Sequence, residues 1–297
     1  MTQTVRPQAS REAPAKLNLT LEVVGKRDDG YHLLDSLVAF TDYGDTLAVR
    51  EAETLELVLD GPFGTLLVDD PMENLVLKAA RLLAEAAGVP PRAALALTKR
   101  LPVASGIGGG SSDAAATLLA LAELWQVSPA PADLAALALK LGADVPVCLA
   151  QRTARLEGIG ERVSAAPAVP PAPIVLVNPG VGLPTPKVFK ARRGPFSAGA
   201  GPDGVWTQSP VDAAALAAAL EPYGNDLTAP AVELLPVIGQ VLDRLAAARD
   251  CLVARMSGSG ATCFALFPTD QAATAAVAEI KAAAPQWWAV ATRLKAA

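Results

Sequence analysis

A chain of 297 residues is long enough for two domains with their own cores, and a hydrophobic content of 52%, mostly Ala, Leu and Val, puts no limit on core size. The formal net charge of −5 excludes a broad basic face for nucleic acid or anionic lipid, so an anionic ligand has to be caught locally. Cys148, Cys251 and Cys263 are odd in number, lack metal-ligand spacing and sit in apolar contexts, which predicts reduced thiols and a cytoplasmic protein.

Residues 1–12 are polar and contain no apolar signal core, and no uninterrupted apolar run reaches the roughly 18–20 residues of a spanning helix. A short N-terminal tail on a soluble protein is expected. Residues 16–25 alternate through Leu17, Leu19, Leu21 and Val23 and read as strand, with Asp28-Asp29-Gly30 as a turn before another apolar stretch. Residues 46–50 and 54–59 add strand-like segments. A helix is predicted over 74–87, stopped by Gly88, and a strand over 95–99 leads into a glycine-rich loop.

The helix after the loop is predicted over 112–125 with a buried stripe of Ala115, Leu118, Leu119 and Ala122, and a second helix over 131–141 ends at Gly142. Asp144 follows in a sharp turn, where Pro146 is expected to keep Val145 out of helical geometry. Pro167, Pro170, Pro171 and Pro173 mark a domain boundary, giving an N-terminal domain over 1–165 and a C-terminal domain over 166–297, whose last segment is allowed to pack back on the first. Beyond it come a strand over 174–177, an irregular stretch over 192–204, and helices over 211–220 and 229–248. The end reads as strand (251–256), turn (257–260), strand (262–267), helix (271–284) and strand (288–293).

The loop carries the most chemistry. In Pro102-Val103-Ala104-Ser105-Gly106-Ile107-Gly108-Gly109-Gly110-Ser111-Ser112, the glycines permit positive φ and close backbone approach, and the serines are expected to cap a helix start whose free N–H groups favour anions. That combination points to ATP or a related phosphorylated ligand. No Gly-Lys-Ser/Thr ends the run and no Gly-x-Gly-x-x-Gly occurs in dinucleotide form, so neither familiar phosphate loop accounts for it. A glycine-rich turn with no ligand is the bland alternative.

The loop resembles that of the GHMP kinases, the superfamily of galactokinase, homoserine kinase and mevalonate kinase, with Ile107 where Leu is common. Ala13-Pro14-Ala15-Lys16-Leu17-Asn18-Leu19 is similar to the first motif of that superfamily, and Met256-Ser257-Gly258-Ser259-Gly260-Ala261-Thr262 to its third. The resemblance implies a two-domain α/β (α+β) GHMP kinase fold with the active site in the interdomain cleft. Gly25-Lys26-Arg27-Asp28-Asp29-Gly30-Tyr31-His32 and Gly142-Ala143-Asp144-Val145-Pro146 narrow the resemblance to the branch acting on a cytidine-diphosphate-linked methylerythritol. The implied reaction is phosphoryl transfer from ATP to its 2-hydroxyl, giving the 2-phosphate and ADP in the non-mevalonate route to isoprenoids.

Phosphoryl transfer needs a place for the hydroxyl proton and positive charge where the transferred group becomes negative. The resemblance assigns Asp144 as general base and Lys16 as the group that orients it and stabilises the phosphate. Asn18, two residues beyond Lys16 on one strand face, is expected at the substrate. His32 would read the cytosine edge, a neutral imidazole offering a donor and an acceptor, while Tyr31 and Phe189 sandwich the ring and Thr185 contributes nearby. Asn74 and Lys99 match positions near the adenosine, although Asn74 serves equally well as a helix cap. Ser257, Gly258, Ser259 and Gly260 would wall the phosphate site, or form a plain hairpin turn.

Mg²⁺ is expected with ATP; its protein ligand is unassigned, Asp113 being a candidate only by position. The implied partner is a small molecule, without nucleic acid or membrane, for a monomer or homodimer. Two alternatives stay open: another GHMP kinase of a smaller alcohol, which would have no use for base-stacking residues, and a catalytically silent nucleotide-binding protein.

Overall fold

The computed structural model describes residues 8–67, 74–200 and 209–296. In chain order it contains β1 (Ala9–Asn18), β2 (Glu22–Lys26), β3 (His32–Arg50), β4 (Leu55–Asp60), α1 (Leu75–Ala87), β5 (Ala93–Thr98), α2 (Gly109–Leu124), α3 (Pro131–Leu141) and α4 (Val145–Ala150). There follow β6 (Ala154–Gly158), β7 (Arg162–Ala165), β8 (Pro173–Asn178), α5 (Thr185–Ala191), α6 (Ala213–Leu220), α7 (Thr228–Leu234) and α8 (Val237–Ala246). The chain closes with β9 (Val253–Met256), β10 (Cys263–Leu266), α9 (Asp270–Ala283) and β11 (Trp288–Arg293). A mixed α/β architecture is thus observed, as expected. No helix among the described residues is long and apolar enough to cross a membrane.

Several local readings need correction. The expected N-terminal tail is already strand from Ala9, while residues 1–7 lie outside the described residues. Strand 46–50 is the end of a continuous 19-residue β3. Helix α2 starts at Gly109 rather than residue 112, and its buried surface is no stripe: every residue from Ser112 to Leu118 is buried, whereas Leu119 and Ala122 are only partly so. A helix apolar nearly all round belongs inside a domain. Val145 is helical, because Pro146 falls in the first turn of α4, where a missing N–H costs nothing. The helix expected over 229–248 is two, divided at Leu235 and Pro236, since proline disfavours helical geometry at the residue before it. Strands β6 and β7 and helix α5 had no counterpart in the sequence reading. Residues 192–200 are irregular as expected, and 201–204 lie outside the described residues.

The chain groups into two compact units that interleave in sequence. The first comprises Met1–Ala15, Gly44–Val103 and Gly109–Ala150. In it β4 runs parallel to β5, and β5 pairs antiparallel with the end of β3, Thr46 opposite Thr98 and Arg50 opposite Ala94. Helices α1, α3 and α4 pack on α2. Asn74 caps α1 by accepting from the Val76 N–H at 2.9 Å, and Gly88 ends it in the left-handed conformation.

The second unit comprises Lys16–Tyr43, Ala104–Gly108 and Gln151–Ala297, and it contains the proline-rich stretch. There the start of β3 pairs with β2 and with β6, which in turn pairs with β7. A separate antiparallel sheet has the order β11-β8-β10-β9. Its core joins Val175 and Val177 of β8 to Ile238, Val241 and Leu245 of α8 and Ile280 of α9, each such side chain contributing about 1.5–3 kcal/mol on burial. All three cysteines are free thiols, as expected, and burial pushes the Cys263 thiol well above its usual range.

Two glycines of the first unit separate steric from conformational constraint. A Cβ on Gly44 would lie 2.3 Å from the Ala13 carbonyl oxygen and 2.5 Å from Pro14 Cα, whereas one on Gly88 meets nothing within 4 Å. Gly44→Ala is expected to cost about 3 kcal/mol by overpacking backbone, and Gly88→Ala about 1 kcal/mol through its positive φ alone. Urea unfolding of both variants checks the order; equal costs would contradict the steric argument.

Candidate active site

In the second unit, two glycine turns meet backbone to backbone. The turn 257–260 joins β9 to β10, so it is a hairpin connection as well as a candidate wall. The Ser257 Oγ donates to the Gly106 carbonyl at 3.0 Å, and the Thr262 N–H donates to the Ser105 carbonyl at 3.0 Å. A Cβ on Gly106 would stand 2.6 Å from the Gly260 oxygen and 2.7 Å from the Ser257 oxygen, with φ at +77°. Only glycine lets the chain pass there. Asn225 clamps the far side of the hairpin turn, its side-chain amide donating to the carbonyls of Met256 and Gly258 at 2.8 Å each.

The same turns hold the end of β1. Lys16 is 3% exposed; its N–H donates to the Ile107 carbonyl at 2.9 Å, and Gly108 leaves 3.0 Å between a would-be Cβ and the Lys16 Cβ. Asn18 donates its backbone N–H to Ser257 Oγ at 3.1 Å and its side-chain amide to Ser36 Oγ at 2.7 Å, which passes its own proton to the Thr20 carbonyl at 2.5 Å. With its amide nitrogen engaged in this way, the polar side chain of Asn18 is accommodated in a buried site.

A second cluster in this unit is aromatic. His32 opens β3 and stacks on Phe189 of α5, with ring centroids 5.2 Å apart and planes at 25°. Tyr31, in the preceding turn, is 60% exposed. Thr185 and Phe189 are four residues apart on α5 and share a face; the Thr185 hydroxyl lies 2.7 Å from the Ser259 hydroxyl. This links the aromatic cluster to the glycine turn. Burial, together with the positive charges of Lys26 and Arg192, holds the His32 pKa below its usual value, so the imidazole is neutral at pH 7. Arg192 is itself enclosed, its Nε without a hydrogen-bond partner among the described residues.

In the first unit, α2 begins within the glycine run, so the N–H groups of Gly109, Gly110 and Ser111 lie in its open first turn. The serines therefore do not cap the helix. Ser112 is 1% exposed and donates to the Pro14 carbonyl at 2.7 Å, so its hydroxyl points into the unit. Of the loop before α2, Pro102 is buried in this unit, while in the second unit Ile107 is buried and Ala104 exposed. Lys99 is also buried; its ammonium binds Asp113 Oδ2 at 2.7 Å and Asp45 Oδ2. Asp113 is thus held by a cation of the protein rather than offered to a metal. Among the described residues no three His, Cys, Asp or Glu side chains form a group able to hold a metal ion. Asp144 stands half-buried in the turn that enters α4.

Lys16, Asn18, Tyr31, His32, Thr185, Phe189 and the 257–260 turn thus belong to the second unit; Asn74, Lys99, residues 109–112 and Asp144 belong to the first. The sequence reading missed Asp45, Ser36 and Asn225. Asn225 alone had a local signal, the Gly224-Asn225-Asp226 turn triplet; the partners of the other two are far away in sequence.

Known proteins resemble this chain in sequence and in fold. Residues 74–152 match the model of the GHMP kinases N terminal domain, and residues 210–286 that of the GHMP kinases C terminal domain. The 4-diphosphocytidyl-2-C-methyl-D-erythritol kinase of Paramagnetospirillum magneticum is 60% identical over 279 residues, covering 94% of this chain and 96% of that protein. The enzyme of the same name from Rhodospirillum rubrum is 52% identical, covering 95% and 91%. A crystal structure of 4-(cytidine 5'-diphospho)-2C-methyl-D-erythritol kinase superposes with a TM-score of 0.81 at 38% identity, over 96% of this chain and 99% of that one. The homoserine kinase of Cytophaga hutchinsonii shares the fold alone, with a TM-score of 0.72 at 17% identity over 100% of this chain and 97% of that one. The chain belongs to the 4-diphosphocytidyl-2-C-methyl-D-erythritol kinase family of the GHMP kinases, and it is an ATP-dependent kinase.

Proposed function

We propose that this kinase transfers the γ-phosphoryl group of ATP to the 2-hydroxyl of 4-diphosphocytidyl-2-C-methyl-D-erythritol in the cytoplasm, giving the 2-phosphate and ADP. The reaction is a step of the non-mevalonate route to isoprenoid precursors. The observation that carries the reading is the His32–Phe189 stack, joined through Thr185 to the glycine turn at Ser259. A flat base is well served by an aromatic face worth about 1–3 kcal/mol and a neutral imidazole able to donate and accept at its edge. A smaller alcohol such as mevalonate or homoserine has no base to use either.

In this reading the amide end of α2 and the glycine loop take the nucleotide phosphates, the Ser257–Gly260 turn bounds the diphosphate, and Mg²⁺ enters as part of the ATP complex. Asp144 accepts the proton of the attacking hydroxyl, and Lys16 offsets the negative charge gathering on the transferred group. Asn18 lends its remaining polar capacity to the acceptor. Asn74 works through its cap on α1 beside the adenosine. The division of labour follows the interleaved units rather than a single cut near residue 165: the start of α2, Asn74 and Asp144 come from the first, and the acceptor-side residues Asn18, His32, Thr185 and Phe189 from the second.

ADP release measured with Mg²⁺-ATP and the cytidine acceptor, beside mevalonate and homoserine, tests the assignment. Selective turnover of the cytidine acceptor is expected; turnover of another alcohol instead removes the base site, and ATP binding without turnover of any acceptor removes the reaction. Asp144→Asn is expected to lower kcat by about 10²–10⁴ with ATP affinity retained. Near-normal turnover by this variant contradicts the general-base role.

His32 gives a pH signature. Its pKa is lowered, so the neutral ring persists below the usual imidazole range and the acceptor's KM stays flat through neutrality, rising only in more acidic solution as the ring gains a proton and loses its accepting nitrogen. His32→Ala is expected to raise KM with little change in kcat and to abolish that acidic rise. A rise that persists in the variant assigns it to another group.

A further inference from the structure

The chemistry above leaves unused the cluster of Asp45, Lys99 and Asp113, three residues that are each 2% exposed or less. Asp45 Oδ1 accepts the N–H groups of Arg100 at 2.5 Å and Leu101 at 2.8 Å, the two residues that deliver the chain to Pro102. Asp45 Oδ2 binds the Lys99 ammonium, which also binds Asp113 Oδ2 at 2.7 Å. Asp113 lies in the second turn of α2, with its Oδ1 buried and without a hydrogen-bond partner among the described residues. The cluster touches the start of the helix directly: a Cβ on Gly109 would stand 3.0 Å from Lys99 Nζ and 3.6 Å from Asp45 Oδ2.

Two carboxylates and one ammonium give this cluster a net charge of −1, and one proton on Asp113 makes it neutral. We propose that Asp113 is a positioning residue for the nucleotide loop whose protonation state sets the charge beneath the first turn of α2: neutral, the cluster leaves the amide end of the helix its full attraction for phosphate, and ionised, it weakens nucleotide binding. The proposal rests on the reading that this end of α2 takes the phosphates of ATP. It differs from a general stabilising role because it ties nucleotide affinity to one buried proton.

The surroundings favour a proton that exchanges near neutrality. Burial outweighs the attraction of Lys99, and with repulsion from Asp45 the Asp113 pKa is pushed up to about 7, while both carboxylates keep the Lys99 pKa above its usual value. Lys99 and Asp45 are the charged groups acting on Asp113. Helix α4 brings Cys148, whose sulfur accepts from Ser112 at 3.5 Å, and α1 brings Leu75 against Gly110. The Arg100 guanidinium is directed to the Gly44 carbonyl at 3.3 Å and the Thr46 hydroxyl at 2.9 Å.

The test is calorimetric titration of Mg²⁺-ATP into the full chain and into Asp113→Asn from pH 6 to 8.5. Wild-type affinity is expected to fall about tenfold across this range, as a unit charge close to a bound phosphate implies, and Asp113→Asn to hold the low-pH wild-type affinity throughout. Near pH 7 the wild type takes up more protons on binding than the variant, a difference in which the titration of the nucleotide cancels. Parallel curves for the two proteins overturn the proposal and leave the nucleotide site standing. Absence of ATP binding at every pH overturns both. Should Asp113→Asn not fold, carboxyl carbon NMR of the wild type decides: one aspartate is expected to titrate near neutrality with a midpoint that rises on nucleotide binding, and a midpoint that does not move overturns the proposal.

Discussion

The close approach of Gly106 to the 257–260 turn is the constraint on which the candidate site depends. The gap left for a side chain at Gly106 is 2.6 Å from backbone oxygen, less than any real Cβ contact, so the loop and the hairpin turn fit only as bare backbone. Their mutual hydrogen bonds then decide where the neighbours go. Ile107, fixed in the loop, supplies the carbonyl that holds Lys16, and Ser257, fixed in the turn, supplies the oxygen that receives the Asn18 N–H. Two residues proposed for chemistry are thus aligned through their own backbone N–H groups, donors that every substitution at positions 16 and 18 except proline retains. A site built in this way is preorganised by backbone, the least adjustable part of a protein.

Electrostatics works at short range in this molecule. With a net charge of −5 the protein has no global positive field to draw in an anionic nucleotide, so attraction has to come from local groups such as helix amides. Enclosure is costly unless each cation is paired. Lys99 meets two carboxylates, and Arg155 makes a bidentate pair with Asp35 at 2.8 and 2.7 Å. Asp35 also accepts the Ala200 N–H at 2.7 Å, and Asp226 accepts from Ser197 Oγ at 2.7 Å and from the Val23 N–H at 2.8 Å. These carboxylates tie the irregular stretch after α5 to β2 and β3 beside the His32–Phe189 stack. Charge here organises loops around the proposed base site, where aromatic contact does the recognition.

What could be read from the sequence follows the range of each interaction. Helix α1 was legible because its cap, its apolar spacing and its stop at Gly88 lie within fifteen residues, and the turn at Asp28-Asp29-Gly30 is likewise self-contained. Strand β6 was missed although its alternation is regular, since Arg155 and Glu157 fill the outward positions between Ala154, Leu156 and Gly158 and make the segment look like loop. The single helix read over 229–248 took no account of Pro236, whose ring disfavours helical geometry at Leu235 and separates α7 from α8. The glycine loop, the most telling motif, was placed correctly between strand and helix but was given the wrong helix start, because its serines resemble caps while the glycines before them already turn. The Asp45–Lys99 pair spans 54 residues and no local pattern announces it.

Shared fold and separate specificity divide along the same line. The homoserine kinase likeness at 17% identity shows that the fold persists with most side chains changed. The features that would select a cytidine acceptor are few: a ring pair drawn from the start of β3 and from a helix of seven residues, and one threonine hydroxyl on the same helix face. Short helix α5 has little intrinsic stability, so its position rests on packing against α7 and on the Thr185–Ser259 contact. The glycine loop and hairpin turn carry the resemblance to the superfamily, and the proposed finer distinction falls to the Tyr31-His32 pair and Phe189, which lie on other segments of the chain.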